Sequence, residues 1–403
     1  MSRTSKSILT AAAILLLVVP VAVAGDELTE ALKDGKVNAD LRLRYETVEQ
    51  DNIEEDAEAL TFRVRLGYTT GKWFNLSSKV EFAANTAVGI DDYNSSANGM
   101  GQYPLIADPQ DTQMVQAYLA YNLAGHTTVK AGRQRIILDN ARFIGNVGWR
   151  QLEQTFDGVS AVTTPIDNFT GVFAHLTNTN QVQGEHNPLR STDLNADVEV
   201  LNASWKFGVG TVTGYGYFAD MEDAPALSNQ TLGVRFTGKR ALNNNMALLY
   251  TAEFAQQSDY SDGMSVIDAE YIHGILGLGM KKVSVQVGYE LLGSNEGMFG
   301  FFTPLATLHA HNGWADMFLG TPSEGLEDTY LNVTGEVAGL KLVGVYHDFS
   351  SDFGGMDYGS EIDLMVAKKF GKHYSGMIKF ADYSSDGYSV DTTKIWVMAG
   401  ASF

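Results

Sequence analysis

From Val37 onward the chain alternates. Val37, Ala39, Leu41, Leu43 and Tyr45 take turns with Asn38, Asp40, Arg42, Arg44 and Glu46, a period of two that gives a strand one apolar and one charged face. Phe62, Val64, Leu66 and Tyr68 do the same against Arg63, Arg65, Gly67 and Thr69, and Leu76, Val80 and Phe82 against Ser77, Lys79 and Glu81. Further strands are predicted near 112–122, 127–135, 155–164, 169–178, 196–207, 209–219, 230–238, 246–257, 269–280, 282–292, 329–338, 340–350, 358–369, 373–383 and 391–403. With the first three they make eighteen.

The connections sort into two kinds that alternate. Gly71-Lys72-Trp73, 122–126, 165–168, Gly208, 238–245, Lys281, Gly339 and Gly371-Lys372 are tight, whereas 48–57, 86–111, 136–154, 178–195, 220–229, 258–268, 293–328, 351–357 and 384–390 are long and acidic. Short turns on one side and long loops on the other predict an all-β fold: one closed antiparallel transmembrane barrel of about eighteen strands, with both ends on the short-turn, periplasmic side. Trp73, Phe74, Tyr121, Phe169, Trp205, Phe207, Phe370 and Tyr374 gather beside the short turns, where an interfacial aromatic girdle belongs. The last strand, with Ile395, Val397, Ala399, Ala401 and Phe403 on one face, resembles the signature by which such barrels are handed to the barrel assembly machinery.

Ahead of the barrel, Arg3 and Lys6 precede an apolar run to Val23 and an Ala22-Val23-Ala24 cleavage pattern. Residues 1–24 are therefore expected to be a signal peptide, 25–36 a short periplasmic segment and 37–403 the barrel. Removing the first 24 takes away two basic residues and no carboxylate, so the formal net charge moves from −20 to −22. Such acidity argues against nucleic acid as a partner and suits an exported chain facing lipid and lipopolysaccharide in a bacterial outer membrane. No cysteine is present, so disulfides and thiolate metal sites are excluded.

Taking the apolar face as lipid-facing turns Arg42, Arg44, Arg63 and Arg65 inward as a basic stripe, and Glu253, Glu290, Glu336, Glu361 and Asp363 inward on strands further round. Inward charges need water or partners, which favours a wet channel over a packed plug. Two readings of the stripe stand side by side. It guides carboxylates or phosphates through a pore, or it braces the wall as a ladder with Asp40, Glu46 and Glu81.

The stretch Gly132–Gly158, which sets Arg133, Arg135, Arg142 and Arg150 among glycines and aromatics, reads as the loop that narrows the pore, with 293–328 packed over it. Trp149 and Trp314 motivate that packing. Arg133 raises a parity question: if Val129 and Ala131 face lipid, either the strand ends there or Gly132 marks a bulge. His175, His309, His311 and His347-Asp348 come with no nucleophile or acid placed by a motif, so neither an enzyme, a cofactor nor a metal site is expected.

Leu41-Arg-Leu-Arg-Tyr-Glu46, Gly132-Arg-Gln134, Trp149-Arg-Gln151, Thr155-Phe-Asp-Gly158, Thr303–His309 and Gly313–Phe318 together resemble the alginate export family of outer-membrane barrels. The resemblance implies a porin-like channel for anionic solutes such as acidic oligo- or polysaccharides. Its arginine-lined path falls here on Arg42, Arg44, Arg63, Arg65, Arg133, Arg142 and Arg150, with Glu81, Glu290 and Glu361 beside it. Selective uptake of small neutral or cationic nutrients is the alternative, and an enzyme or adhesin barrel is a more distant one.

Overall fold

The computed structural model describes residues 24–189 and 193–403. The expected signal peptide thus lies outside the described residues, apart from Ala24. A helix, α1 (Ala24–Lys33), comes first. It is followed by β1 (Lys36–Gln50), β2 (Ala57–Thr69), β3 (Leu76–Asp92), β4 (Asp111–Leu123), β5 (Thr127–Gln134), β6 (Thr155–Thr163), β7 (Phe169–Asn180), β8 (Asp193–Phe207) and β9 (Gly210–Asp220). Then come β10 (Asn229–Asn243), β11 (Met246–Asp259), β12 (Asp268–Met280), β13 (Val283–Leu292), β14 (Leu326–Val337), β15 (Leu340–Ser350), β16 (Asp357–Phe370), β17 (Tyr374–Ser385) and β18 (Thr392–Ser402).

Each strand pairs antiparallel with its chain neighbours, and β18 pairs with β1 from Asp40↔Ser402 to Gln50↔Thr392, so the eighteen strands close. Closure leaves every strand with partners on both sides, which a spanning sheet in hydrocarbon requires. Leu43, Leu66, Phe82, Leu119, Leu201, Phe254, Leu276, Leu331 and Leu364 stand exposed on the outer wall. Their in-line neighbours turn to the lumen, as the period of two demands.

The expected short N-terminal segment is helical and docks on the short-turn side. The Gly71 amide donates to the Ala31 carbonyl at 2.8 Å, and the Tyr68 hydroxyl donates to the carbonyl of Leu32. On the opposite side two long connections fold inward: an inner loop (residues 135–154) and a capping loop (residues 293–325). A third, residues 93–110, lies beside them with Ile106 and Asp108 fully buried.

Candidate functional site

The arginine stripe meets the inner loop. Loop backbone inside a barrel has carbonyls that water no longer reaches, and a guanidinium with five donors can satisfy several at once. Arg42 Nη1 donates to the carbonyls of Gly148 (3.3 Å), Trp149 (2.9 Å) and Arg150 (3.2 Å). Arg44 also donates to the Trp149 carbonyl, pairs with Asp108 at 2.9 Å and lies 3.7 Å from Glu46. Arg63, opposite Arg42 in the ladder, reaches the Gln151 carbonyl at 3.4 Å and pairs with Asp40. Arg65 stands 3.6 Å from Glu153 and 4.0 Å from Glu81, and Arg135 shares both carboxylates.

The carboxylates of the far wall hold the capping loop in the same manner. Glu290 receives Arg142 of the inner loop at 2.9 Å and Asn312 of the capping loop at 2.9 Å. Asn312 also donates to Asp328 at 3.2 Å, and His347 sits against Asp328 at 2.9 Å. Glu361 accepts the backbone amides of Trp314 and, at 2.7 Å, Ala315. The turn that delivers these amides passes through Gly313 at φ +84, where a Cβ would stand 2.2 Å from the Glu361 carboxylate. Only glycine fits that approach. Glu253 is paired with Arg235 at 3.0 Å and bonded by the Tyr215 hydroxyl at 2.9 Å.

Loop meets loop at an aromatic and charged seam. Trp149 stacks on His309 with centroids 4.4 Å apart, and the edge of Trp396 on β18 approaches both. Asp316 is within 2.6 Å of His309 Nδ1, 3.1 Å of Arg150 and 3.2 Å of Lys394, while Arg150 also reaches Glu46 at 3.2 Å.

Burial pushes His309 down to about 3 against the pull of Asp316, and His311 likewise to about 3, with Arg142 adding to the effect. A neutral His309 fits its neighbours, because its Nε2 lies 2.7 Å from the Lys379 ammonium and a second proton would set two cations face to face. Burial works to raise Asp316 and Asp108. His309 and Lys394 overcome it at the first and hold it well below the carboxylate range, and Arg44 and Arg150 lower the second.

These contacts correct two expectations. The lumen at the level of the loops is packed rather than wet: Arg44, Phe301 and Trp396 are all 0% exposed, and the inward charges have found partners instead of water. Arg133 does not join the lumen. Register runs unbroken through Tyr118↔Gly132 and Arg133↔Asp157, so Arg133 stays on the face of Val129 and Ala131, paired with Asp157 at 2.9 Å and with Glu185. Gly132 is neither a strand end nor a bulge. At its φ of +121 a Cβ would lie 2.3 Å from the Ala117 carbonyl oxygen, so the position requires glycine.

Arg42, Arg44, Arg63, Arg65, Arg142, Arg150, Glu81, Glu290 and Glu361 are brought together around the loops, and Asp316 joins them together with Asp108, Lys379 and Lys394, which nothing in the sequence reading singled out. For Lys379 the signal was available, since on an alternating strand it stands between Ile378 and Phe380, the apolar residues of the lipid-facing side. Among the described residues, no group of three or more His, Cys, Asp or Glu side chains is arranged to hold a metal ion.

Below the loops, on the short-turn side, a cavity of about 790 Å³ opens. It is lined by Arg42 and six lysines, among them Lys239, Lys341 and Lys369, against two carboxylates, Asp40 and Glu336.

A sequence pattern for alginate export matches residues 35–295. No curated protein matches the chain. Among solved structures, Pseudomonas aeruginosa OpdQ superposes with a TM-score of 0.69 at 15% identity, over 92% of this chain and 99% of that one. Pseudomonas aeruginosa OccK9 (OpdG) gives 0.70 at 17% identity, over 93% and 100%. Pseudomonas aeruginosa OpdK with vanillate gives 0.71 at 12%, over 92% and 99%. At these identities the likeness is one of fold.

Proposed function

We propose, starting from the premise that this chain belongs to the alginate export family and forms a porin-like barrel in the outer membrane, that it passes hydrophilic anions, including acidic oligo- or polysaccharides of the alginate kind. The observation that carries this reading is the vestibule: Arg42, Lys239, Lys281, Lys282, Lys341 and Lys369 surround one cavity with two carboxylates, Asp40 and Glu336, while Lys368 leans over Phe370 on the outer wall. Low-dielectric walls focus such a field and raise the local concentration of anions. OpdK, a neighbour in fold, holds vanillate, a small organic anion, which is in keeping with the same class.

Within this reading the arginines divide. Arg42 spends its hydrogen bonds on carbonyls and looks into the vestibule, so its charge remains available to a solute. Arg44, Arg63, Arg65, Arg142 and Arg150 are paired with carboxylates and act as positioning residues for the constriction, with Glu81, Glu290 and Glu361 as their counterparts. That pairing favours the second reading, passage of small neutral or cationic nutrients, in which all the arginines are braces.

Reversal potentials across a salt gradient in planar bilayers separate the two. The native pore is expected to prefer anions, and R42A and the double variant K341A/K369A each to lower that preference. A native preference for cations, or selectivity unmoved by these changes, overturns the anion reading.

A further inference from the structure

Three tryptophans from distant parts of the chain enclose one ammonium group. Trp149 comes from the inner loop, Trp314 from the capping loop and Trp396 from β18. Lys379 Nζ, on β17, lies 4.3, 3.6 and 5.4 Å from their ring centroids in that order. The lysine is 5% exposed. An ammonium that has given up its hydration needs replacement for it, and aromatic faces supply that by attraction between the charge and the ring quadrupole. The remaining contact is His309 Nε2 at 2.7 Å, on the ring that stacks against Trp149 and is held by Asp316.

The box exists only while both loops are in place, since each contributes one ring. Most other wall contacts hold one loop: the arginine stripe grips the inner loop through its carbonyls and Glu361 grips the capping loop through its amides, while Glu290 bridges the two through Arg142 and Asn312. Lys379 is a point where one wall side chain grips both. It does so through a contact that has no fixed direction, and the carboxylates that balance its charge, Asp363 and Glu361 on β16 and Asp316 of the capping loop, lie outside the box, so the ammonium can leave for the vestibule without breaking a direct ion pair. The neighbouring clamps are different, because withdrawing Arg44 or Arg142 would break direct ion pairs with Asp108 or Glu290.

We propose that Lys379 is the positioning residue that latches the two loops together across the lumen, and that the passage opens when its ammonium leaves the tryptophan box. The latch rests on the channel reading for its meaning and can be tested apart from it.

Single-channel records in planar bilayers compare the native protein with K379M, which keeps the apolar stem and loses the charge, and with K379R, which keeps a cation. Loss of a desolvated cation–π contact predicts a rise in the open-to-closed ratio of about 30-fold for K379M, with K379R near native. In K379A, n-propylammonium chloride should restore closure where equimolar sodium chloride does not. W314A, which removes the nearest ring and leaves the wall intact, should open in the same way and stands in where a Lys379 variant does not fold.

Chymotrypsin cleavage of the capping loop at Trp314 or Phe318 gives a readout independent of conduction, and it should be faster in K379M. Native-like gating together with native-like cleavage in K379M overturns the latch. So does failure of propylammonium to close K379A, because a mere packing defect has no preference for a cation. If no variant conducts and yet K379M is cleaved faster, the latch stands and the channel reading falls.

Discussion

Arg42 and Arg44 stand two residues apart on one face of β1 and meet opposite surroundings. Arg44 is sealed between Asp108 and Glu46, so R44A would leave the buried Asp108 without its paired cation, while Glu46 keeps Arg150. Breaking buried pairs in this way costs on the order of 3–5 kcal/mol, and the expected result is a clearly lower urea midpoint for unfolding from lipid vesicles. R42A breaks no direct ion pair and opens its own volume to the vestibule it lines, so its midpoint should move far less while ion selectivity moves more. Alternation alone told which way these side chains point, because the period of two is a local property. It could not tell their partners, since Asp108 lies 64 residues from Arg44. His309 and His311 carry a second consequence at this scale. Packed, they take a proton only near pH 3; released, they take it near 6.5. The released state therefore binds more protons between those values, and the packing of the capping loop is fully stable above about pH 6.5 and weakens as pH falls, by a few kcal/mol in order of magnitude. Asp316, held well below 3.8, works the other way: its contribution is complete above 3.8 and fails only at lower pH. Acrylamide quenching of the tryptophans at the loop seam, whose chemistry does not depend on pH, should increase from pH 7 to pH 4, and H309Q should flatten that rise.

At the scale of elements, strands were easier to foresee than what fills them. The eighteen strands follow from apolar and polar residues taking turns over seven or more positions, and the observed register places Leu41 beside Val64 and Ala401 as that pattern requires. Trp149 and Trp314, large rings in long polar stretches, announced that these loops cover something. The box they form with Trp396 was not legible, because it joins residues 82 and 165 positions apart, and α1 was not foreseen as a helix. The inner loop inserts Phe143 among Tyr215, Tyr217, Tyr271 and Phe301, with Arg142 next to it on Glu290. Deleting Arg142–Val147 removes both anchors at once. Single-channel conductance should rise in that variant while the folded form still migrates faster than the boiled form on detergent gels. An unchanged conductance would place the narrowest point elsewhere.

Taken whole, the molecule is acidic, with a net charge of −20, yet its charges are sorted by side. Lys239, Lys281, Lys282, Lys341, Lys368 and Lys369 collect around the short-turn cavity, while carboxylates such as Glu54, Glu55, Asp56, Asp91 and Asp92 stand on the long-loop side. Composition gave the sum and not the sorting, which needed the strands to be threaded up and down. The same threading brings the ends of the ring side by side: Ala39 and Phe403 exchange backbone hydrogen bonds of 3.1 and 2.8 Å. A finished ring keeps no memory of where its chain was cut, because every seam is an ordinary antiparallel pair. A circular permutant, with Phe403 joined to Lys36 by a few glycines and new termini opened at Ser261-Asp262, should therefore refold from urea into detergent micelles with native mobility. If Ile395–Phe403 acts as an insertion signal, the permutant should fare badly in cells, because that stretch would now lie in the interior of the sequence. Rapid refolding in the tube beside failed insertion in the bacterium would separate the instructions for shape from the address label; equal success in both would show that this chain carries no address at its end.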